Sequence, residues 1–262
     1  NGGIFAVYVQ DTGSCISSFK TQEVYGRNYT YINSYCDTVS APVTTTTTAY
    51  VPPTTTTTTT IPPFIGFSYN ISDLGYFTDE VLYSYGHNLT KLPGHPVRNK
   101  SMGKEFTNGS LGMGLAVAIG HSIAAKRRNL NYHTYVLMGD GECNEGSVWE
   151  AAMSAPHFEL NNLTAIIDNN GLQQTGTNNE ISRVENFVKR FESFGWEALE
   201  VNGHNHEELF KALEVNETNK PRIIIAKTIK GKGLSFAEGN NAWHHGVMTK
   251  DLYNLALKEL NI

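Results

Sequence analysis

From about Phe67 onward the apolar positions alternate between two periodicities, one near 3.6 residues and one made of short unbroken runs. Gly112–Arg128 is a Gly/Ala-rich stretch that predicts a helix, and His133–Met138 (HTYVLM) predicts a strand ending at Gly139-Asp140-Gly141. Glu145–Phe158 predicts a second helix, with Val148, Trp149, Ala152, Ala155 and Phe158 at helical spacing. Leu163–Asp168 (LTAIID) reads as a buried strand, and Val184, Phe187, Val188, Phe191 and Phe194 return to the helical period. Ala198–Val201 then predicts a strand, His206–Val215 a helix, and Arg222–Thr228 (RIIIAKT) a nearly all-apolar strand. Strands buried on both faces and alternating with helices predict an α/β fold, a mostly parallel sheet with helices on both faces. In such sheets ligands sit at the carboxyl ends of the strands.

The first 67 residues have a different texture. Residues 1–40 are rich in Tyr, Ser, Thr, Val and Gly, with alternating stretches at Ile4–Val9 and Thr30–Tyr35 that suggest short strands in an otherwise unassigned segment. Residues 41–67 hold two threonine runs, Thr44–Thr48 and Thr54–Thr60, punctuated by prolines. Such a stretch buries little and reads as an extended linker, with an O-glycosylated stalk as the alternative. Asn1–Gln10 has no basic start and no apolar core, unlike a signal peptide. Cys15 and Cys36 could pair in an oxidising compartment, but two cysteines are weak evidence for a disulfide. Seven Asn-x-Ser/Thr sequons occur, several inside predicted packed segments where a glycan would not fit.

Charge sharpens the division. Of the 262 residues 17% are charged, below the roughly 25% usual in globular domains. Residues 1–67 carry only Asp11, Lys20, Glu23, Arg27 and Asp37, and no histidine. All nine histidines follow, so the side chains best suited to proton transfer lie in the predicted domain, 68–262. The net charge of −5, with no basic stripe beyond Lys126-Arg127-Arg128, argues against nucleic-acid binding. No apolar run approaches the roughly 18 residues of a membrane-spanning helix. A cytoplasmic protein is the expectation.

Two of the predicted strand ends carry unusual residues. Gly139-Asp140-Gly141 follows one, and Asp168-Asn169-Asn170 follows the next about thirty residues later. A carboxylate and an amide oxygen on adjacent loops would suit a hard divalent cation such as Mg²⁺, whose coordination is completed by phosphate and water. Glycines beside Asp140 would let backbone amides approach a diphosphate. Read locally, the same residues are equally well two ordinary polar turns.

At this point the segment resembles a known family. Gly139–Asn170 resembles the thiamine diphosphate signature, GDG through NN, and GDGECNEGSVWEA with its following NNL strand resembles the transketolase version. Leu92-Pro93-Gly94-His95-Pro96 resembles that family's GHP loop, and Thr107–Gly114 (TNGSLGMG) its TGSLGQG turn. Ala226–Gly233 (AKTIKGKG) and Trp243-His244-His245 resemble its AKTxKGKG strand end and WH loop. The likeness spans about residues 72–262 and is nearest to the N-terminal half of transketolase, especially the form encoded as two subunits.

The resemblance implies thiamine diphosphate and Mg²⁺ as cofactors, with Asp140, Asn170 and the backbone carbonyl of Leu172 as metal ligands. It implies that Gly139 and Gly141 pack against the diphosphate, and that Gly109 and Leu111 touch the aminopyrimidine. It gives Glu145 a place in a carboxylate network between paired cofactor sites, and His95 and His244 catalytic positions facing substrate, with His245 the alternative to His244. The implied reaction moves a two-carbon ketol unit from a ketose phosphate to an aldose phosphate. The activating carboxylate belongs to the family's second domain, so a C-terminal, pyrimidine-binding subunit is expected as partner in a hetero-oligomer.

Two departures stand beside this likeness, the absence of that second-domain carboxylate and a lack of early histidines. The family keeps further histidines in its first seventy or so residues, whereas this sequence has none before His87. His87, in Ser84-Tyr85-Gly86-His87, superficially echoes an SKGH motif but lies too near His95 and reads as structural. Three readings therefore compete: a transketolase N-terminal subunit with a replaced first segment, a catalytically incomplete relative acting as a binding module, and a composite chain. A 1-deoxyxylulose-5-phosphate synthase-like enzyme is the neighbouring possibility, against which the EGxxWEA and WH loops weigh.

Overall fold

The structure is a computed structural model that describes residues 77–261, apart from 86, 94, 103, 105, 215–217 and 245. It also describes the backbone of three earlier strands: β1 (Val7–Asp11), β2 (Ser18–Val24) and β3 (Arg27–Asn33). The expected linker over 41–67, the Cys15–Cys36 pair and His245 lie outside the described residues. The short strands expected at Ile4–Val9 and Thr30–Tyr35 are offset, with Val7–Asp11 and Arg27–Asn33 in their places.

Among the described residues the sheet order is β1-β4-β5-β7-β6. The four strands β4 (Tyr132–Gly139), β5 (Leu163–Asn169), β6 (Glu197–Asn202) and β7 (Arg222–Lys227) are parallel, and β1 adds antiparallel to the free edge of β4. The α/β expectation holds. Parallel pairing demands crossovers, and helices supply them.

Helix α1 (Asp79–Tyr83) precedes α2 (Gly114–Arg128), and α3 (Gly146–His157) joins β4 to β5. The short α4 (Asn178–Ile181) and α5 (Phe187–Phe194) lie between β5 and β6, and α6 (His206–Leu213) leads to β7. The chain then ends in α7 (Lys250–Leu260).

Register explains the core. Val136 aligns with Ala165 and Ile223, and Met138 with Ile167 and Ile225, so these six side chains share one face. All are essentially inaccessible to water and pack with Leu115, Val148, Ala152 and Phe191 from α2, α3 and α5. The alternate face holds His133, Thr164 and Arg222, and α6 covers its far end: the Arg222 guanidinium donates to the Ala212 carbonyl at 3.0 Å. Arg222 also forks onto Glu197, with nitrogen–oxygen distances of 2.9 and 3.2 Å. That pairing satisfies the donors of a buried guanidinium at the sheet's amino end.

Helix ends depart from the predicted spans where the backbone turns left-handed. Gly112 has φ +79°, so α2 starts at Gly114 and the Gly112 region is a turn. Asn186, at φ 53°, caps α5 by accepting from the Lys189 N–H at 3.1 Å. Val184 therefore packs on the core from a loop, not from the helix whose period it follows. Two sequons are packed as expected: Asn108 is 8% exposed, and the Asn162 amide donates to the Ser122 carbonyl at 3.1 Å.

His133 is 6% exposed and lies 2.9 Å from the Thr164 hydroxyl. Burial, with the Arg222 charge adding to it, pushes its imidazole down to about 4. A neutral folded imidazole stabilises the protein above pH 6.5, and that contribution is lost as pH falls towards 4. The loss amounts to about 3 kcal/mol. Urea titrations at pH 7 and pH 4.5 should show a clearly smaller acid loss for His133→Gln than for the parent protein.

Candidate active site

The polar residues gather where β4, β5 and β7 end. Asp140, immediately after β4, is 2% exposed. One carboxylate oxygen accepts from the Gly141 N–H at 2.8 Å, and the other from the Gly171 N–H at 2.6 Å. The Asp140 N–H donates to the Asp168 carbonyl at 3.2 Å. The loops after β4 and β5 are thus stitched together by one aspartate. Its carboxyl is raised from the ordinary range by burial, against which the Gly171, Gly141 and Asn178 hydrogen bonds act, while the Asp168 charge adds to the rise.

Around it lie the other expected ligands. Asn170 donates to Asp168 at 3.3 Å and accepts from the Leu172 N–H at 3.0 Å. The loop closes through Gln173 N–H to the Gly176 carbonyl at 2.8 Å and Asn178 N–H to the Gly171 carbonyl at 3.0 Å. A capping box between Thr177 and Glu180 then fixes the start of α4. Gly141 needs its missing side chain, because a Cβ there would come within 2.9 Å of Gln173 Cγ. Gly139 and Gly171 meet nothing closer than 4.0 Å, leaving room in front of both loops.

The remaining predicted residues approach from two directions. His95 is exposed and its ring lies against Gly109, where an added Cβ would stand 3.1 Å from the imidazole carbon. Leu111 is half-buried in the same turn. His244 ends a 3₁₀ turn, Asn241–His244, which is tied to the loop after β5 by Asn241 donating to the Gln174 carbonyl at 3.0 Å. Glu145 is exposed at the start of α3, and its Cβ sits over Gly112.

Five residues outside the predicted set belong to this cluster: Glu142, Asp168, Asn169, Lys227 and Thr228. Glu142 is 3% exposed and accepts from two backbone N–H groups, those of Gly112 at 2.8 Å and Gly139 at 3.1 Å. Burial pushes its carboxyl up to about 7; the two hydrogen bonds oppose this, and the Glu145 charge reinforces it. Asp168 accepts from the Thr228 hydroxyl at the end of β7. With the Asn169 amide turned to satisfy both neighbours, its nitrogen lies 3.3 Å from Asp140 and its oxygen 3.0 Å from the Lys227 ammonium. Asp168 and Asn169 stand beside Asn170 in a strand-end run, and Lys227 and Thr228 lie in the strand-end motif after β7, so Glu142 alone carried no signal in the sequence.

The donor set suits a hard cation. Asp140 and Asp168 are neighbouring carboxylates, and among the described residues neither forms an ion pair. No three His, Cys, Asp or Glu side chains gather at one point among those residues, which disfavours an all-side-chain cage. What the loops offer is carboxylate, amide and carbonyl oxygen beside open space, the pattern that leaves Mg²⁺ to be completed by phosphate and water. A cleft of about 630 Å³ opens on the β6 side of these loops, walled by Asn169, Asn178, Glu200 and Lys227. Its walls include neither His95 nor Gly109, so the cleft extends the site without defining it.

The family described as transketolase, thiamine diphosphate binding domain, matches residues 60–259. The chain belongs to this family. An apulose-4-phosphate transketolase subunit from Actinobacillus succinogenes is 44% identical over 191 residues, which are 72% of this chain and 69% of that relative. A 6-deoxy-6-sulfo-D-fructose transketolase subunit from a Clostridium species is 38% identical over 188 residues, 71% of this chain and 68% of the relative. Among solved structures, transketolase from Campylobacter jejuni superposes with a TM-score of 0.65 at 34% identity, covering 70% of this chain. The overlap is only 30% of that transketolase. Transketolase membership removes the reading of two ordinary polar turns: the loops after β4 and β5 belong to a thiamine diphosphate-binding domain.

Gly112 offers a direct test of how tightly the site is built. An added Cβ would lie 2.6 Å from both Glu145 Cβ and Ser147 Oγ, on a backbone that side chains already disfavour. Gly112→Ala should cost about 2 kcal/mol or more in a denaturation titration. Gly120→Ala, on the open face of α2, meets nothing within 4 Å and should be stabilising by about 0.5–1 kcal/mol.

Proposed function

We propose that this chain is the diphosphate-binding subunit of a two-subunit transketolase, working with a C-terminal partner in a cytoplasmic hetero-oligomer. The observation that carries the reading is the buried Asp140 carboxylate, held between Gly141 and Gly171 on adjacent strand ends. In this reading Asp140, Asn170 and the Leu172 carbonyl hold Mg²⁺, and Gly139 and Gly141 admit the diphosphate. Gly109 and Leu111 take the aminopyrimidine. Residues 68–262 form the cofactor-binding domain, with 41–67 as a linker before it.

Bound thiamine diphosphate supplies the carbanion chemistry and electron sink of ketol transfer. The protein's part is to bind, orient and move protons. In this reading His95 and His244 face the substrate, since imidazoles are suited to holding substrate hydroxyls and relaying their protons near neutral pH. Glu145, exposed beside Gly112 and close enough to raise Glu142, would join the carboxylate network between paired cofactor sites. Sugar phosphates are the substrate class, in keeping with relatives named for apulose 4-phosphate and for a sulfo-sugar. The names of those relatives, each one part of a transketolase with several subunits, support the need for a partner that brings the activating carboxylate.

Calorimetry tests the reading. The chain should bind thiamine diphosphate in the presence of Mg²⁺, and Asp140→Ala should weaken that binding at least about 100-fold. Chelation of the metal should have the same effect on the parent chain. Ketol transfer should be absent from the isolated chain and appear when a C-terminal transketolase subunit is added. Robust turnover by the chain alone would refute the reading of a two-part enzyme.

A further inference from the structure

Glu142 has no part in the assignments above, yet it is among the most deeply buried charged side chains described. It lies in the 3₁₀ turn Gly141–Asn144, directly after the Asp140 loop. Its two oxygens do not share a donor: one accepts from Gly112 and the other from Gly139. Those amides belong to different loops, one closing the turn that holds Gly109 and Leu111, the other opening the turn that holds Asp140. The Gly112 carbonyl is gripped as well, accepting from the Ser147 hydroxyl at 2.9 Å. Gly112 is thus fixed from both sides of its backbone by residues that follow Asp140 in the chain.

We propose that Glu142 is a positioning residue that sets the spacing between the aminopyrimidine loop and the diphosphate loop, so that one ligand is held at both ends. This rests on the thiamine diphosphate reading above. A carboxylate is suited to the task because both oxygens accept, whereas an amide offers one acceptor and turns a donor towards the second N–H. Aspartate, one methylene shorter, would not span the two loops.

A role in spacing differs measurably from a role in general support. Loss of support weakens every ligand of the site alike. Loss of spacing weakens a ligand that touches both loops more than one that touches a single loop. Thiamine diphosphate with Mg²⁺ is the first kind of probe and inorganic pyrophosphate with Mg²⁺ the second, each titrated into the full chain. For Glu142→Gln, thiamine diphosphate should bind about tenfold more weakly, while pyrophosphate changes by less than about threefold. Equal weakening of both, or no change in either, overturns the proposal while leaving the cofactor reading intact. A parent chain that fails to bind thiamine diphosphate overturns both. Should the variant not fold, amide exchange on the parent chain decides the matter. Gly112 N–H should exchange at least about tenfold more slowly than the amides of Ser110 and Leu111, and equal rates overturn the proposal.

Discussion

A carboxylate taken out of water needs donors, and Asp140 finds them on two loops separated by 31 residues of sequence. The short bond from Gly171 does more than satisfy an oxygen. It holds the exits of β4 and β5 at one separation, and Asn170 and Leu172 flank the glycine that makes it. The rest of the site leans on that junction: Asp168 receives Thr228 from β7, and Asn169 stands between Asp140 and Lys227. Three strand ends are thereby linked through polar contacts above a core that is apolar on one face except for Thr134.

The two ends of the sheet solve opposite electrostatic problems. At the amino end a buried cation, Arg222, is matched by Glu197 and by backbone carbonyls, and is complete within the chain. At the carboxyl end carboxyl groups gather: Asp140, Glu142 and Asp168 receive backbone or hydroxyl hydrogen bonds and take part in none of the described ion pairs. The first end is closed by its own ion pair, and the second is where the proposed reading puts a cation.

Much of the fold was legible because the strands are extreme. RIIIAK and LTAIID are buried runs with polar stops, and the stops mark the site. Less legible were the places where one residue turns left-handed, since Gly112 and Asn186 interrupt patterns whose apolar spacing continues past them. The terminal helix Lys250–Leu260 gave little signal, with Ala256 its one buried side chain. Asp140 and Asn170 could be picked out by their position at strand ends, and Gly109, Leu111, His95 and His244 through the family likeness. Glu142 could not. A glutamate inside a glycine-rich turn reads as a solvated residue, and only the approach of Gly112, thirty residues earlier in the chain, buries it.

The grip on Gly112 also shapes how this region tolerates change. Its N–H, its carbonyl and the space a side chain would need are taken up by Glu142, Ser147 and Glu145, all within one six-residue stretch. Substitutions at these four positions share partners, so their energetic effects will not add. A larger residue at 112 would need room made at both 145 and 147 and would still sit on a left-handed backbone, so no single compensating change among these neighbours restores the corner.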